Sequence, residues 1–297
     1  MRINPDPTSN LLTILSIADR QQQTAMLQMS SGRRVQVASD DPAASAALTL
    51  NSQQQAQQDQ FLQNISSIRQ LMSASDSALS GVVQALTRAV TIGVQGATGT
   101  VSPDNRLSLA KEVEGIRDQV LSLANTSFRG VFIFSGTNVT TQPFVLDSSS
   151  PSGVRYDGNQ QVNSVFIGEG HSIPTGVAGR ELFVDPASDV FASLQNLTTA
   201  LNSNDPDAVD DATAEVRSAL THISNLRVTY GSGLNQLDSD EQFLNSAKLQ
   251  SQAREDELVG ADPAESMTQM QQAQYARDAT LAAIARTRQV SLLDYLK

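Results

Sequence analysis

Two histidines and a run of four aspartates are the side chains here best suited to chemistry. His171 and His222 can titrate near neutrality, or ligate a metal through an imidazole nitrogen. Neither is set up for it: His222 falls between the apolar positions Ala219 and Ile223 of a helical pattern, and His171 sits in a Gly-rich stretch. No carboxylate or second imidazole stands at ligand spacing from either, so both read as solvated or hydrogen-bonded side chains. Asp205, Asp207, Asp210 and Asp211 offer calcium-type oxygens but lack the central Gly and closing Glu of an EF-hand loop. With Pro206 between the first two, they read as the acidic first turn of a helix. Gly93, Gly96 and Gly99 are not followed by Lys-Ser/Thr, and Gly231-Ser232-Gly233 fits no dinucleotide fingerprint. These glycines read as a helix end and a helix kink. The absence of cysteine removes disulfides, thiol catalysis and thiolate metal sites. The sequence thus assigns no catalytic, cofactor-binding or metal-binding residue, and a non-enzymatic protein without a cofactor is expected.

The formal net charge of -11 opposes a phosphate backbone and no Lys/Arg cluster offsets it, so neither nucleic acid nor an anionic membrane is an expected partner. Hydrophobic residues make up 39% of the 297, aromatic residues 4%, and Trp is absent, which favours long helices with close-packed seams over a thick interior. Residues 1–10 carry one Arg and two Pro and no apolar core, so they do not resemble a cleavable secretory signal. No run of 18 apolar residues is found, which leaves the location open between the cytoplasm and export by another route.

The elements follow from hydrophobic spacing. Near the start, Leu11, Leu15, Ala18, Gln22, Ala25 and Met29 follow the alternating three-and-four step of one helical stripe, and near the finish Met267, Met270, Gln274, Arg277, Leu281 and Ile284 do the same. Such narrow, half-polar stripes cannot be buried alone: the two ends read as the two halves of one coiled coil, each needing the other or a neighbouring molecule, and an intermolecular seam is favoured for both. Leu292 and Leu293, near the end of the chain, are counted with them as assembly-interface residues. Gly32 is expected to end the first helix in a left-handed conformation, and Asp40-Asp41-Pro42 to start the next. Phe61, Ile65, Ile68, Met72, Ser75, Leu79, Val82, Leu86, Ala89 and Gly93 make a regular stripe that spans roughly 50 Å at about 1.5 Å per residue. Gly93, Gly96, Gly99 and Pro103 are read as breaking it, before Leu109, Val113, Ile116, Val120 and Leu123 return as a partner helix. A further helix opens at Asp205-Pro206-Asp207 and carries Val209, Ala212, Val216, Ala219, Ile223, Leu226 and Tyr230. Between residues 131 and 185 lie short β-branched or aromatic runs with Asp157-Gly158 as a hairpin turn. The expected fold is mainly α with a small β insertion, an elongated helical bundle or coiled coil built from N- and C-terminal helices. The expected divisions are residues 1–42 with 258–297 as a terminal coiled-coil layer, disordered in the monomer; 43–135 with 190–257 as the bundle; and 136–189 as the β-rich insertion.

Ser30-Ser31-Gly32-Arg33-Arg34-Val35 followed by Ala38-Ser39-Asp40-Asp41-Pro42-Ala43 resembles the N-terminal signature of the bacterial flagellin superfamily. Residues 225–237, through Arg227, Gly231, Leu234 and Asn235, resemble its returning C-terminal helix, and residues 291–296 its terminal motif. Within the superfamily the Met1-Arg2-Ile3 start, Leu123-Ala124-Asn125 with Phe134-Ser135-Gly136-Thr137, and Tyr156-Asp157-Gly158-Asn159 followed by Ile167-Gly168-Glu169-Gly170 are similar to the flagellin-like hook–filament junction branch. That resemblance implies a structural adapter of the bacterial flagellum, self-associating in a ring between a hook-side junction protein and flagellin. It also implies an export chaperone and passage through the flagellar type III export apparatus to the outside, without a cleaved signal peptide. A short flagellin, itself the filament subunit, is the alternative; a cytoplasmic coiled-coil regulator leaves the β insertion unexplained.

Overall fold

The computed structural model describes residues 7–293, with side chains over residues 9–286. In chain order the elements are α1 (Pro7–Ser31), α2 (Pro42–Ala97), α3 (Pro103–Ala124), β1 (Ser127–Phe128), β2 (Val131–Phe132), β3 (Phe144–Leu146), β4 (Val154–Tyr156), β5 (Ser164–Gly168), β6 (His171–Pro174), α4 (Gly179–Phe183), β7 (Val184–Asp185), β8 (Ser188–Asp189), α5 (Val190–Ser203), α6 (Pro206–Val259) and α7 (Pro263–Leu293). The strands pair as separate two-stranded antiparallel hairpins, β1 with β2, β3 with β4, β5 with β6 and β7 with β8. The fold is mainly helical with small β hairpins inserted between helices, as the spacing predicts.

One local rule starts several helices. An acceptor side chain precedes a proline at the first helical position, where the missing N–H costs nothing. The Asp41 carboxylate accepts from Ala44 N at 3.0 Å ahead of α2, and the Ser102 hydroxyl from Asn105 N at 3.4 Å ahead of α3. Asp205 accepts from Asp207 N at 3.0 Å ahead of α6, and Asp262 from Ala264 N at 2.8 Å ahead of α7. The aspartates at 205–211 thus begin with a cap, as read from the sequence.

The chain divides into two compact units, Met1–Gln57 with Ser246–Lys297, and Gln58–Asn245. In the second, the core is one continuous cluster in which the α2 stripe Ile65, Ile68, Met72, Leu79, Val82, Leu86, Ala89 and Ile92 meets buried residues of α3, α5 and α6. The bidentate Arg227–Asp76 pair, at 2.7 and 3.1 Å, ties α6 to α2. An 18-residue stretch of α2 has a mean hydropathy of 1.2, long and apolar enough to cross a membrane by length and composition alone. Its apolar stripe is occupied by this core.

Three expectations are corrected. Gly93 and Gly96 do not end α2, which runs to Ala97. A Cβ on Gly93 would overlap the Thr213 side chain, and one on Gly96 that of Leu201, so these glycines admit close approach of α6 and α5. Nor does α6 break at Gly231-Ser232-Gly233, where Gly233 makes room for Met72. Asp157-Gly158 lies beyond β4 and is not the hairpin turn. That turn is residues 147–153, closed by Asp147 N donating to Gly153 O at 3.0 Å. What residues 157–159 do is dock on residues 134–137: Asn159 N donates to Ser135 O at 3.1 Å, Thr137 N to Asn159 Oδ1 at 2.9 Å, and the Tyr156 hydroxyl to Phe134 O at 3.1 Å. Beneath them Phe134, Phe144, Phe183 and Phe191 pack with ring centroids 5.2–6.1 Å apart. Two motifs distant in sequence are one structural unit.

Candidate assembly site

In the terminal unit α1 and α7 pack against each other. They run antiparallel: the chain after α1 meets the chain before α7 through an antiparallel bridge, Arg33 opposite Gly260, and further along Asp19 pairs with Arg277 at 3.0 Å. The α1 side of the seam is the stripe read from the sequence, with Leu11, Leu15 and Gln22 half-buried and Ala18 and Ala25 buried at 2% and 1% exposure. Among the described residues of α7, Ser266, Ala273 and Thr280 are buried, with Met270 and Ile284 half-buried. The two ends of the chain thus meet each other along these stripes. The structure sets Met29, Met267 and Leu281 outside the seam, exposed. Leu292 and Leu293 belong to the α7 backbone, and their side chains lie outside the described residues. Ser266, Ala273 and Thr280 escape a hydrophobicity count because none is large; the signal for them is a small residue every seventh position.

The seam is shallow and the exterior apolar. Besides Met29, α1 exposes Leu12, Ile14, Ile17, Met26 and Leu27, and α7 exposes Tyr275. At 100° per residue the α1 positions spread around most of the helix, the pattern of a helix meant to be enclosed.

The turn that carries α1 into this unit matches the sequence reading. Gly32 ends α1 at φ +68°, its N–H donating to Gln28 O at 2.9 Å. Asp40 accepts from the N–H groups of Gln36 and Val37, each at 3.0 Å. Arg34 reaches Asp41 at 3.2 Å and Leu258 O at 3.1 Å, and Arg33 pairs with Glu255. Val35, Ala44 and Val259 form a small core beneath. Pro42 follows as the first residue of α2.

Two expected outcomes arise here. Gly32→Val places a β-branched residue at positive φ in otherwise open space, so the cost is conformational, about 1–2 kcal/mol. Assembly is expected to be hindered and motility to fall, and unchanged motility would count against the turn. The second concerns acid. Backbone N–H groups of Val37 and Gln36 hold the Asp40 carboxyl below its ordinary range, and Ala44 N–H followed by Arg34 does the same for Asp41. A carboxylate with a depressed folded pKa contributes fully above its unfolded value, and loses that contribution as pH falls through the folded one. In the assembled state the turn is expected to hold at neutral pH and loosen below about pH 4, read as a fall in amide protection, relative to the intrinsic rate at each pH, at Gln36, Val37 and Ala44.

Both histidines belong to the second unit. His222 Nε2 lies 2.7 Å from Glu181 O, and His171 Nε2 lies 4.0 Å from Asp240.

Comparison with known proteins places these features. Residues 6–139 match the family description of the bacterial flagellin N-terminal helical region, and residues 213–296 that of the C-terminal helical region. The chain is 31% identical over 254 residues to flagellar hook-associated protein 3 of Escherichia coli (strain K12), covering 79% of this chain and 80% of that one. It is 25% identical over 256 residues to a flagellin of Listeria innocua, covering 83% and 81%. A solved flagellar hook-associated protein-3 from Legionella pneumophila shares the fold, with a TM-score of 0.65 at 17% identity over 71% of this chain and 98% of that one.

Proposed function

This chain belongs to the bacterial flagellin family, on the branch of flagellar hook-associated protein 3, and from that premise we propose that it serves as an adapter in the hook–filament junction of the bacterial flagellum. It is a structural protein of the flagellum. The observation that carries the adapter reading is the apolar exterior of α1, which a lone subunit leaves in water and an assembly covers. Copies associate as a ring through the terminal helices, with a hook-side junction protein on one side and flagellin on the other. Delivery is by an export chaperone and the flagellar type III apparatus, to the outside of the cell with no leader removed. Leu11, Leu15, Ala18, Ala25, Met29, Met267, Met270, Leu281, Ile284, Leu292 and Leu293 carry the assembly, the first stripe by pairing and the exposed members by meeting neighbours.

Residues 1–42 and 258–297 order on assembly, the bundle spans 43–135 and 190–257, and residues 136–189 form the outer insertion. The support is energetic. A seam of alanine, serine and threonine buries little apolar area per residue, at about 25 cal/mol per Å2, against about 1–2 kcal/mol of backbone entropy for each residue ordered. Amide exchange of the purified chain tests this. Residues 11–29 are expected to exchange within seconds while the α2–α3 hairpin stays protected, and slow exchange in 11–29 contradicts it. Under conditions that polymerise flagellin the chain alone is expected to form no long fibres; long fibres would make it a filament subunit.

A further inference from the structure

We propose that the bridge between residues 32–34 and 259–261 decides which two ends pair: it makes each chain join its own α1 to its own α7, in one register, in preference to the ends of a second copy. The need for such a device lies in the seam. Ala18 and Ala25 on α1 are seven residues apart, as are Ser266, Ala273 and Thr280 on α7. A seven-residue slide would put Leu11 where Ala18 packs, but exchanging α7 for that of a second copy presents α1 with identical residues. The seam by itself therefore cannot tell a chain's own α7 from a neighbour's. The charge pair along the seam, Asp19 with Arg277 at 3.0 Å, is nearly half exposed on both sides and worth under about 1 kcal/mol.

The bridge supplies what the seam lacks. Arg34 N donates to Val259 O at 2.7 Å and Ala261 N to Gly32 O at 2.9 Å, fixing residue against residue. Arg33 on Glu255 and Arg34 on Leu258 O add two side-chain ties to the end of α6, and Val35 inserts beside Ala44 and Val259. Asn51, buried on α2, donates to Ser251 O at 2.8 Å about two turns further on, so the base of the bridge is fixed too. With the last residue of α1 and the first of α7 held side by side, pairing within the chain becomes a short-linker event at millimolar-scale effective concentration. This rests on the reading that the terminal segments order on assembly, when ends of neighbouring copies compete for one another.

The chain has no cysteine, so two introduced thiols report pairing directly. Ala25 stands eight residues before Arg33 and Ser266 six after Gly260, both buried in the seam. Full-length Ala25→Cys/Ser266→Cys is assembled into flagella in cells, treated with a mild oxidant that joins adjacent thiols as a disulfide, and run on a non-reducing denaturing gel. The expected product is a chain closed on itself, with dimers a minor species. Adding Arg33→Ala, Arg34→Ala and Glu255→Ala is expected to raise the dimer fraction at least tenfold. Where that variant is not incorporated, Arg34→Ala alone is used, with a smaller rise in the same direction. Equal dimer fractions with and without the bridge overturn the proposal, as does a predominance of dimers, or the absence of any internal cross-link, when the bridge is intact. Failure of the functional reading shows itself separately, as intact filaments in a strain lacking the chain.

Discussion

Arg106→Ala is expected to lower the melting temperature of the bundle unit by about 10 °C, the largest stability effect of any single change considered. Arg106 sits at the start of α3, 4% exposed, where Nε donates to Gly96 O at 2.9 Å, Nη2 to Thr98 O at 3.0 Å and Nη1 to Asn204 Oδ1. One planar fork therefore ties down the end of α2, the turn into α3, and the left-handed Asn204, φ +58°, that ends α5. Among the described residues no carboxylate pairs with this guanidinium. Its counter-charge is the carbonyl end of α2, where the helix dipole is negative. Truncation takes the donor from Gly96 O and Asn204 Oδ1, leaves Thr98 O only its bond from Val101 N at 3.3 Å, and opens a void, for about 3–5 kcal/mol, and in a unit this size each kcal/mol is worth about 2–4 °C. Arg106→Lys is expected to fall between, since an ammonium supplies charge without the fork. A loss under about 1 kcal/mol by calorimetry would mean that these loops are held by something else.

The second large effect falls on assembly alone. Leu12, Met26 and Leu27 are exposed at 58%, 59% and 52%. Changing the three together to Glu is expected to leave the melting temperature of the purified chain within about 2 °C, since exposed substitutions cost little. In the cell, filaments per cell are expected to fall more than tenfold. Each site loses about 1.5–3 kcal/mol of burial and gains a carboxylate that an enclosed interface cannot solvate. Normal filament numbers would show that this face of α1 stays in water.

Periodic and punctuated features were legible in the sequence. The α2 stripe, its α3 partner, the Asp41-Pro42 and Asp205-Pro206 helix starts and the left-handed Gly32 each rest on interactions within a few residues or on a strict repeat, and each stands in the structure. Glycines misled where their purpose is tertiary. Gly93, Gly96 and Gly233 look like breaks, but admit Thr213, Leu201 and Met72, neighbours that no local pattern names. Helix α5 was missed because its apolar residues Phe191, Leu194, Leu197 and Leu201 lie in a short segment beside the β-rich stretch, and are buried by partners far along the chain. The assembly site was half legible. Its α1 stripe follows from the three-and-four repeat through Leu11, Leu15, Ala18, Gln22 and Ala25, whereas the α7 seam uses Ser266, Ala273 and Thr280, and the ties of Arg33 and Arg34 to Glu255 and Leu258 span more than two hundred residues of sequence.

Electron microscopy of a strain deleted for this chain, with an assay of flagellin in its medium, tests the central claim most directly. Hooks that end without filaments, with flagellin shed as monomer into the medium, are the result expected of a junction adapter. Intact filaments on those hooks would contradict the account, and missing filaments with no shed flagellin would make the chain the filament subunit instead.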